Sequence, residues 1–291
     1  MDISTLNRYH HYVFLGIGTL FILANLMGLA LPLTTQIIVL SLFVAVVGIP
    51  HGALDPLVAY QAGLWKKPAG LLLFMLVYAG LSMGVVAVWL YLPTLSLTLF
   101  LMVSAWHFAG DWKAHLPLAV RVLASSSIIV LPTLWYAAEI QQLFAWLTSP
   151  EAATQLTRWL SIAAPLHLGL LLLALPYIWS RDRAAGSEIA ILSVAAVLLP
   201  PLVLFFLYFC TLHSPRHLIK HMANAAVPSS KVIATLLVFS LLTFLLAAIY
   251  WYWIVDHHTI ISQQLTQIIF IGLAALTVPH MILITNTKQQ F

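Results

Sequence analysis

The sequence contains very little charge and almost no cysteine. Asp, Glu, Lys and Arg make up 7% of its 291 residues, whereas about 25% is usual for a soluble domain. The single cysteine, Cys210, excludes an internal disulfide and any cysteine-rich metal or iron–sulfur site. The net charge of +4 is small and forms no basic stripe, so nothing indicates nucleic-acid binding. A chain with so few charges is solvated mainly by lipid.

Long apolar runs make up most of the sequence: 62% of the residues are hydrophobic and the mean hydropathy is +1.01. A helix needs about 20 apolar residues to cross a bilayer, and runs near that length occupy 12–31, 36–60, 69–92, 95–111, 118–138, 159–179, 232–254 and 265–285. The stretch 184–223 is longer, and we expect two spans there because Pro200 and Pro201 interrupt a helix. The prediction is an all-α, polytopic membrane helix bundle of about ten helices, and at least about eight. It forms a single domain over 1–291, with one sizeable loop at 139–157.

The basic residues agree with this arrangement under the positive-inside rule. With a cytoplasmic N-terminus, eleven of the twelve basic residues fall on the inner side and Arg158 alone falls outside. The inner set is Arg8, Lys66, Lys67, Lys113, Arg121, Arg181, Arg183, Arg216, Lys220, Lys231 and Lys288. We therefore expect a multi-pass protein of the cell (inner) membrane with both termini in the cytoplasm.

Four of the predicted spans contain ionisable residues, which are unfavourable in a bilayer and usually functional. The segments are "GIPHGALDP", "SAWHFAGDW", "TLHSPRH" and "TVPHM", and they hold His51 and Asp55, His107 and Asp111, His213 and His217, and His280. The spacings are H-x3-D, H-x3-D and H-x3-H, and residues four apart share one face of a helix. His213 and His217 could therefore bind one metal ion, and each aspartate could accept the second N–H of the histidine one turn away.

Depth supports a common site for these residues. The four helices run in the same direction in the predicted topology, and His51, His107, His213 and His280 lie at similar depth within them. We therefore predict a metal site between helices in the cytoplasmic half of the bundle. Imidazole suits zinc, copper, iron and nickel alike, so spacing leaves the metal open. His115 and His167 are better explained as buried histidines bonded to backbone carbonyls, and the pairs His10–His11 and His257–His258 as solvated.

Aromatic side chains next to the histidines could line an apolar pocket, although ordinary packing explains each of them equally well. Trp106, Phe108 and Trp112 lie next to one histidine, and Phe205, Phe206, Tyr208 and Phe209 precede another. Glycines beside the histidines, including Gly48 and Gly52, could permit close helix approach or leave room for a ligand.

At these motifs the sequence resembles the Brp/Blh family, the membrane-integral β-carotene 15,15′-dioxygenases of bacteria and archaea. The matching segments are "PHGALDP" at 50–56, "WHFAGDW" at 106–112 and "CTLHSPRH" at 210–217, with "VPHM" at 278–281 in support. The resemblance implies a non-haem Fe(II) ion bound by His51, His107, His213 and His217. The expected reaction is the O₂-dependent cleavage of the central double bond of β-carotene, taken from the lipid bilayer, to two molecules of retinal.

The same resemblance assigns roles to the neighbouring residues. Asp55 and Asp111 would orient the imidazoles, His280 would line the site or bond to another group in it, and the retinal would serve a microbial rhodopsin as chromophore. The wall that accepts the polyene would consist of Trp106, Phe108, Phe205, Phe206 and Tyr208. The sequence departs from the family at Ala109, where glycine is expected after "HF", and the extra methyl group puts the preferred carotenoid in doubt.

Three other classes of protein use intramembrane histidines. A di-iron desaturase or hydroxylase typically has about eight histidines in H-x3-H and H-x2-H-H boxes, whereas here H-x3-H spacing occurs only in the single segment 213–221 and no H-x2-H-H box is present. A proton-coupled transporter could use the His and Asp pairs as a relay, with Pro200–Pro201 breaking a helix. A haem or quinone protein does not explain two H-x3-D pairs beside an H-x3-H pair.

Overall fold

The computed structural model describes residues 3–48, 52–113, 116–223, 229–256 and 258–287, and within these ranges it contains helices and no strand. The first seven helices are α1 Ile3–Leu26, α2 Leu33–Phe43, α3 Asp55–Gln61, α4 Pro68–Tyr91, α5 Pro93–Phe108, α6 Leu118–Val130 and α7 Thr133–Leu147. The others are α8 Pro150–Arg181, α9 Arg183–Leu198, α10 Pro201–Tyr208, α11 Ser214–Ala223, α12 Ser229–Trp253 and α13 Ile261–Thr287. The all-α prediction is confirmed for the described residues.

The helix ends follow from local chemistry. Helices α4, α5, α8 and α10 begin with proline. Proline has no backbone N–H, and this costs nothing in the first turn because an N–H there has no partner within the helix. Asp182 caps α9, since its carboxylate accepts from the backbone N–H of Ala184 at 2.9 Å and of Ala185 at 3.1 Å. Gly28 follows the end of α1 with a φ of 78°, a left-handed conformation that favours glycine.

Six helices in the described residues are long and apolar enough to cross a membrane, which is consistent with an integral membrane protein. They are Ser4–Leu26, Pro68–Tyr91, Pro150–Arg181, Pro201–Lys220, Ser230–Trp253 and Ile261–Asn286. Two of them, in α4 and α12, are 0% and 6% buried in their most apolar windows, as expected of helices that face lipid. The predicted ten crossings are not confirmed, because α2 with 11 residues and α5 and α9 with 16 are shorter than the roughly 30 Å hydrocarbon core.

Several predicted boundaries need correction. The expected span at 118–138 is two helices, α6 and α7, which bend by 67° at Leu131–Pro132 because proline cannot continue a helix. The expected loop at 139–157 is almost entirely helical, with Thr148 and Ser149 between α7 and α8. The break at Pro200–Pro201 is confirmed, since α9 ends at Leu198 and α10 begins at Pro201.

Two short π-helices adjoin the predicted site residues. Val44–Gly48 continues α2, and Phe209–His213 continues α10. They pack against each other in the interior, while α13 packs against α2, α4 and α7. A π-turn inserts a residue into a helix and is frequent at functional sites. The fold thus places the segment just before residue 49 against the segment that ends at His213.

Candidate functional site

Four imidazole rings gather between the helices. His107 lies at the end of α5, His213 ends the second π-helix, His217 lies in α11 and His280 lies in α13. The ring centroid of His107 lies 4.8 Å from that of His213 and 5.4 Å from that of His280. The His217 ring lies 5.0 Å from His280 and 6.3 Å from His213. Residues that are up to 173 positions apart in sequence, from 107 to 280, thus form one cluster.

The spacing of these rings fits a common metal ion. A ligating imidazole nitrogen lies about 2.1 Å from its metal, so two ring centroids at 90–110° about the ion are roughly 4.6–5.4 Å apart. Three of the four observed distances fall in this interval. No three His, Cys, Asp or Glu side chains in the described ranges already form a finished metal-binding group. The cluster is therefore a set of neighbouring donors, and His51, the fourth predicted ligand, lies outside the described residues.

Asp111 orients one of the rings. It lies in the short 3₁₀-helix Ala109–Trp112 that continues α5, and its carboxylate accepts from His213 Nδ1 at 3.0 Å and from the Tyr208 hydroxyl at 2.5 Å. Asp55 does the same for His280, accepting from His280 Nδ1 at 2.8 Å and from the Tyr78 hydroxyl at 2.8 Å. A carboxylate accepts and does not donate, so Nδ1 of each ring carries the proton and Nε2 carries the lone pair. Nε2 is thereby prepared to bind a cation.

These contacts differ from the partner predicted for Asp111, whereas His51, the partner predicted for Asp55, lies outside the described residues. The H-x3-D spacing suggested that each aspartate orients the histidine in its own helix, so that Asp111 would serve His107. In the structure Asp111 contacts His213, from another segment, because the 3₁₀-turn at Ala109–Trp112 rotates residue 111 away from the α-helical position. Asp55 likewise serves His280 in α13.

An apolar cavity of about 40 Å³ adjoins the histidines. Its lining includes two site histidines, aromatic rings and small residues: Gly48, Gly52, Phe100, Ser104, His107, Phe108, Phe205, Phe209, Leu273, Leu276, Thr277 and His280. Gly48 and Gly52 lie on either side of the undescribed residues 49–51. The cavity has room for a few molecules the size of water.

The predicted aromatic wall is found only in part. Phe108 and Phe205 line the cavity, whereas Trp106 is 56% exposed on the outside of α5. Phe206 packs against Phe43 at a centroid distance of 4.7 Å and is absent from the cavity lining in the described residues. Tyr208 is fully buried but points its hydroxyl at Asp111. A helix turns 100° per residue, so neighbours in sequence face different surroundings.

Phe209 and Phe100 line the cavity in place of the missing wall residues. The Phe209 ring stacks on Phe205, with centroids 5.2 Å apart and planes at 7°, and it also stacks on His213 at 5.8 Å. Phe209 was among the aromatic residues predicted to line a pocket, and it stands four residues after Phe205, on the same helix face. Phe100 carries no comparable signal in the sequence.

A buried ionic network beneath the site was missed by sequence reasoning. Glu188 in α9 is 3% exposed, and its carboxylate accepts from Arg216 Nη2 at 2.6 Å, Trp112 Nε1 at 2.9 Å and His11 Nδ1 at 2.9 Å. Arg216 also donates to the backbone carbonyl of Asp111 at 3.2 Å. The signal was present, because Glu188 is a charged residue within a predicted span.

The predictions for the histidines outside the cluster had different outcomes. The expectation that His10 and His11 are solvated is wrong, because His11 donates to Glu188 and His10 Nε2 donates to the carbonyl of Thr211 at 2.8 Å. The expectation for His167 is confirmed, since its Nε2 lies 3.0 Å from the carbonyl of Leu123. His115 and His257 lie outside the described residues.

Comparison with known proteins agrees with this site. The family model described as "Beta-carotene 15,15'-dioxygenase" matches residues 42–288, which include all the histidines of the cluster. A protein named "Beta-carotene 15,15'-dioxygenase", from the uncultured marine bacterium 66A03, is 31% identical over 83% of this chain and 90% of its own length. No solved structure matches the chain. The chain belongs to the β-carotene 15,15′-dioxygenase family.

Proposed function

We propose that this protein cleaves the central 15,15′ double bond of β-carotene with O₂, giving two molecules of retinal, at a non-haem Fe(II) site. The proposed ligands are His51, His107, His213 and His217. The observation that carries the proposal is the cluster of imidazoles at an apolar cavity, in a chain of this family. Gly48 and Gly52, which flank the segment of His51, line the same cavity and support its assignment.

The donor set suits iron in this role. Neutral imidazoles bind iron well and leave the ion its full positive charge. When bound, the iron supplies the binding and activation of dioxygen, which the side chains of a protein cannot perform. Asp111 holds His213 in the tautomer whose Nε2 faces away from the carboxylate, and Tyr208 holds Asp111. These buried hydrogen bonds prepare the imidazole before any cation arrives.

The aromatic wall gives the polyene its position. Phe108, Phe205 and Phe209 offer flat apolar faces beside the histidines, and a conjugated polyene packs well on such faces. The cavity of about 40 Å³ admits dioxygen but not a C40 hydrocarbon. Binding of β-carotene must therefore displace part of this wall, and the stacked pair Phe205–Phe209 borders the cavity where that displacement is needed.

The cellular setting belongs to the same proposal. The positive-inside pattern supports a cell-membrane location with both termini in the cytoplasm, which lets carotenoid enter from lipid. Passage of the retinal to a microbial rhodopsin follows from the chemistry of the product, since retinal is such a protein's chromophore. It stays a prediction.

Cells that make β-carotene, but no other carotenoid-cleaving enzyme, provide the test. Expression of the protein should bleach the orange colour, and chromatography of the extract should show retinal as the single aldehyde product. Central cleavage yields one product because the two halves of β-carotene are identical. Purified protein should contain about one iron per chain, in keeping with one histidine cluster.

Matched variants make the result specific. Replacement of His107, His213 or His217 by alanine should abolish retinal formation, while His167→Ala should preserve it, because His167 bonds to a backbone carbonyl away from the cluster. Unequal apocarotenals in the extract would disprove central cleavage. Unchanged β-carotene in cells with folded, iron-loaded protein would disprove the substrate.

A further inference from the structure

The interior contains the same three-residue arrangement twice. Tyr208 donates to Asp111, which accepts from His213 Nδ1, and Tyr78 donates to Asp55, which accepts from His280 Nδ1. In both triads the tyrosine hydroxyl and one imidazole nitrogen meet the same carboxylate at 2.5–3.0 Å. The two triads lie side by side, because both histidine rings are neighbours of His107.

The second triad is assembled from parts of the chain that share nothing with the first. Asp55 begins α3, Tyr78 lies in α4 and His280 lies in α13, whereas the first triad uses the 3₁₀-helix, α10 and the second π-helix. His280 and Asp55 are 2% and 1% exposed. Burying a carboxylate carries a large desolvation penalty. A histidine with a purely structural role could be held in place without a buried carboxylate.

His167 shows how this fold holds a structural histidine. Its ring contacts the backbone carbonyl of Leu123 and the hydroxyl of Ser127, at 3.0 and 3.1 Å, and no carboxylate orients it in the described residues. A metal-binding imidazole usually donates its second N–H to a carboxylate, a backbone carbonyl or water, and among these partners the carboxylate alone adds a negative charge that strengthens the ligand. His280 has that arrangement, and its ring lies 5.4 Å from His107 and 5.0 Å from His217, spacings that fit a shared ion.

We propose that His280 is a further ligand of the metal, through Nε2, and that Asp55 and Tyr78 position it as Asp111 and Tyr208 position His213. The inference rests on the proposed function for the presence of a metal. It changes the role expected from sequence, in which His280 lines the site or bonds to another group in it. It also makes Asp55 and Tyr78 determinants of metal affinity, although both are remote from His213 and His217 in sequence.

Metal titration of the purified protein tests the inference without measuring turnover. Protein stripped with a chelator is titrated anaerobically with Fe(II), and separately with Co(II), whose visible absorption reports the number and type of its ligands. His280→Ala should weaken Fe(II) binding by at least about tenfold and should change the Co(II) spectrum. Asp55→Asn and Tyr78→Phe should weaken binding in the same direction, within the roughly 10–100-fold range of such partners. Added imidazole should restore the wild-type Co(II) spectrum in His280→Ala. In His213→Ala it should not restore the bands at the same position or intensity.

His167→Ala is the matched control, because it removes a half-buried imidazole from the same fold and should leave both titrations unchanged. Circular dichroism and gel filtration establish that each variant is folded, and Asp55→Asn keeps the test available if His280→Ala does not fold. The inference would be overturned if folded His280→Ala bound Fe(II) with wild-type affinity and gave an unchanged Co(II) spectrum. If His280→Ala does not fold, the same result in folded Asp55→Asn would overturn it. Failure of the wild-type protein to bind Fe(II) would instead overturn the proposed function.

Discussion

At the scale of single residues, Asp111 connects the site to its surroundings. Its side chain accepts from His213 and Tyr208, and its backbone carbonyl accepts from Arg216, which in turn pairs with Glu188. The carboxylate therefore determines the tautomer of His213, and the main chain determines where the carboxylate stands. A change at residue 111 should act on metal binding more than on folding.

Asp111→Asn is expected to lower iron affinity by about 10–100-fold, because an amide can still accept one hydrogen bond but no longer carries the charge that raises imidazole basicity. Asp111→Ala should be worse. Iron content after gel filtration, and the rate of retinal formation at saturating iron, measure the two effects. Asp256→Asn, at an exposed loop position, is the control. Unchanged iron content in both Asp111 variants would leave the His213 contact without a role.

Gly48 controls the shape of the cavity through one contact. A Cβ atom there would lie 2.7 Å from Cε1 of Phe209, so Gly48→Ala must displace the ring that stacks on Phe205 and His213. Overpacking of this kind costs about 1–3 kcal/mol of folding stability. The displaced ring should also lower kcat/KM for β-carotene by roughly tenfold, which corresponds to about 1.4 kcal/mol of transition-state stabilisation. Steady-state kinetics in detergent micelles provide the measurement. Gly84→Ala, where no atom lies within 4 Å, should behave as wild type, and equal kinetics in both variants would contradict the prediction.

At the scale of elements, the two π-helices act as a joined pair. The hydroxyl of Ser214, fully buried, donates to the carbonyl of Val47 at 2.5 Å, and His10 donates to the carbonyl of Thr211. A π-turn breaks the regular helical ladder, so its carbonyls need other donors. These side chains supply them and hold the segment before residue 49 against the segment that ends at His213.

Ser214→Ala should therefore destabilise the fold by about 1–3 kcal/mol, since it leaves a buried carbonyl without its donor. The midpoint of thermal unfolding, followed by tryptophan fluorescence in detergent, should fall. Ser180→Ala removes an exposed hydroxyl that bonds within its own helix, and its midpoint should not change. Equal midpoints for Ser214→Ala and wild type would show that the π-helices are held together by packing alone.

Much of the site could be predicted from the sequence at this scale. His107, His213 and His280 meet, as their shared depth indicated, because hydropathy and helix direction determine depth, and His217 joins them from the next turn after His213. The partners of Asp111 and Asp55 could not be predicted, since a 3₁₀-turn and a tertiary contact decide them. The π-helices were not predicted either, because the spacing argument assumes a constant 3.6 residues per turn.

At the scale of the whole molecule, Glu188 ties the N-terminal helix to the rest. His11 in α1, Trp112 after α5 and Arg216 in α11 all donate to this one carboxylate in α9. A buried carboxylate is unfavourable unless its hydrogen bonds are made, and here they come from three distant segments. Loss of any of these partners should therefore lower the stability of the whole bundle.

Glu188→Gln should lower stability by about 3–5 kcal/mol, because it leaves the partly buried Arg216 without its counter-charge. The double variant Glu188→Gln with Arg216→Gln should be less destabilised than the sum of the two single variants, which is the signature of a direct pair. Thermal unfolding of all three, with exposed Glu151→Gln as control, provides the comparison. Strict additivity would rule out coupling between the two side chains.

The small cavity has a consequence for the unsaturated lipids around the protein. A metal that activates oxygen inside a membrane is surrounded by unsaturated fatty-acyl chains, which are themselves easily oxidised. The stacked pair Phe205–Phe209, which borders this small cavity, would keep such chains from the proposed metal between turnovers. A floppy acyl chain would have to lose conformational entropy as well as displace the wall, whereas a conjugated polyene is already rigid. Under the proposed function, the tight packing beside the histidines would discriminate by stiffness and would protect the lipid in which the substrate is dissolved.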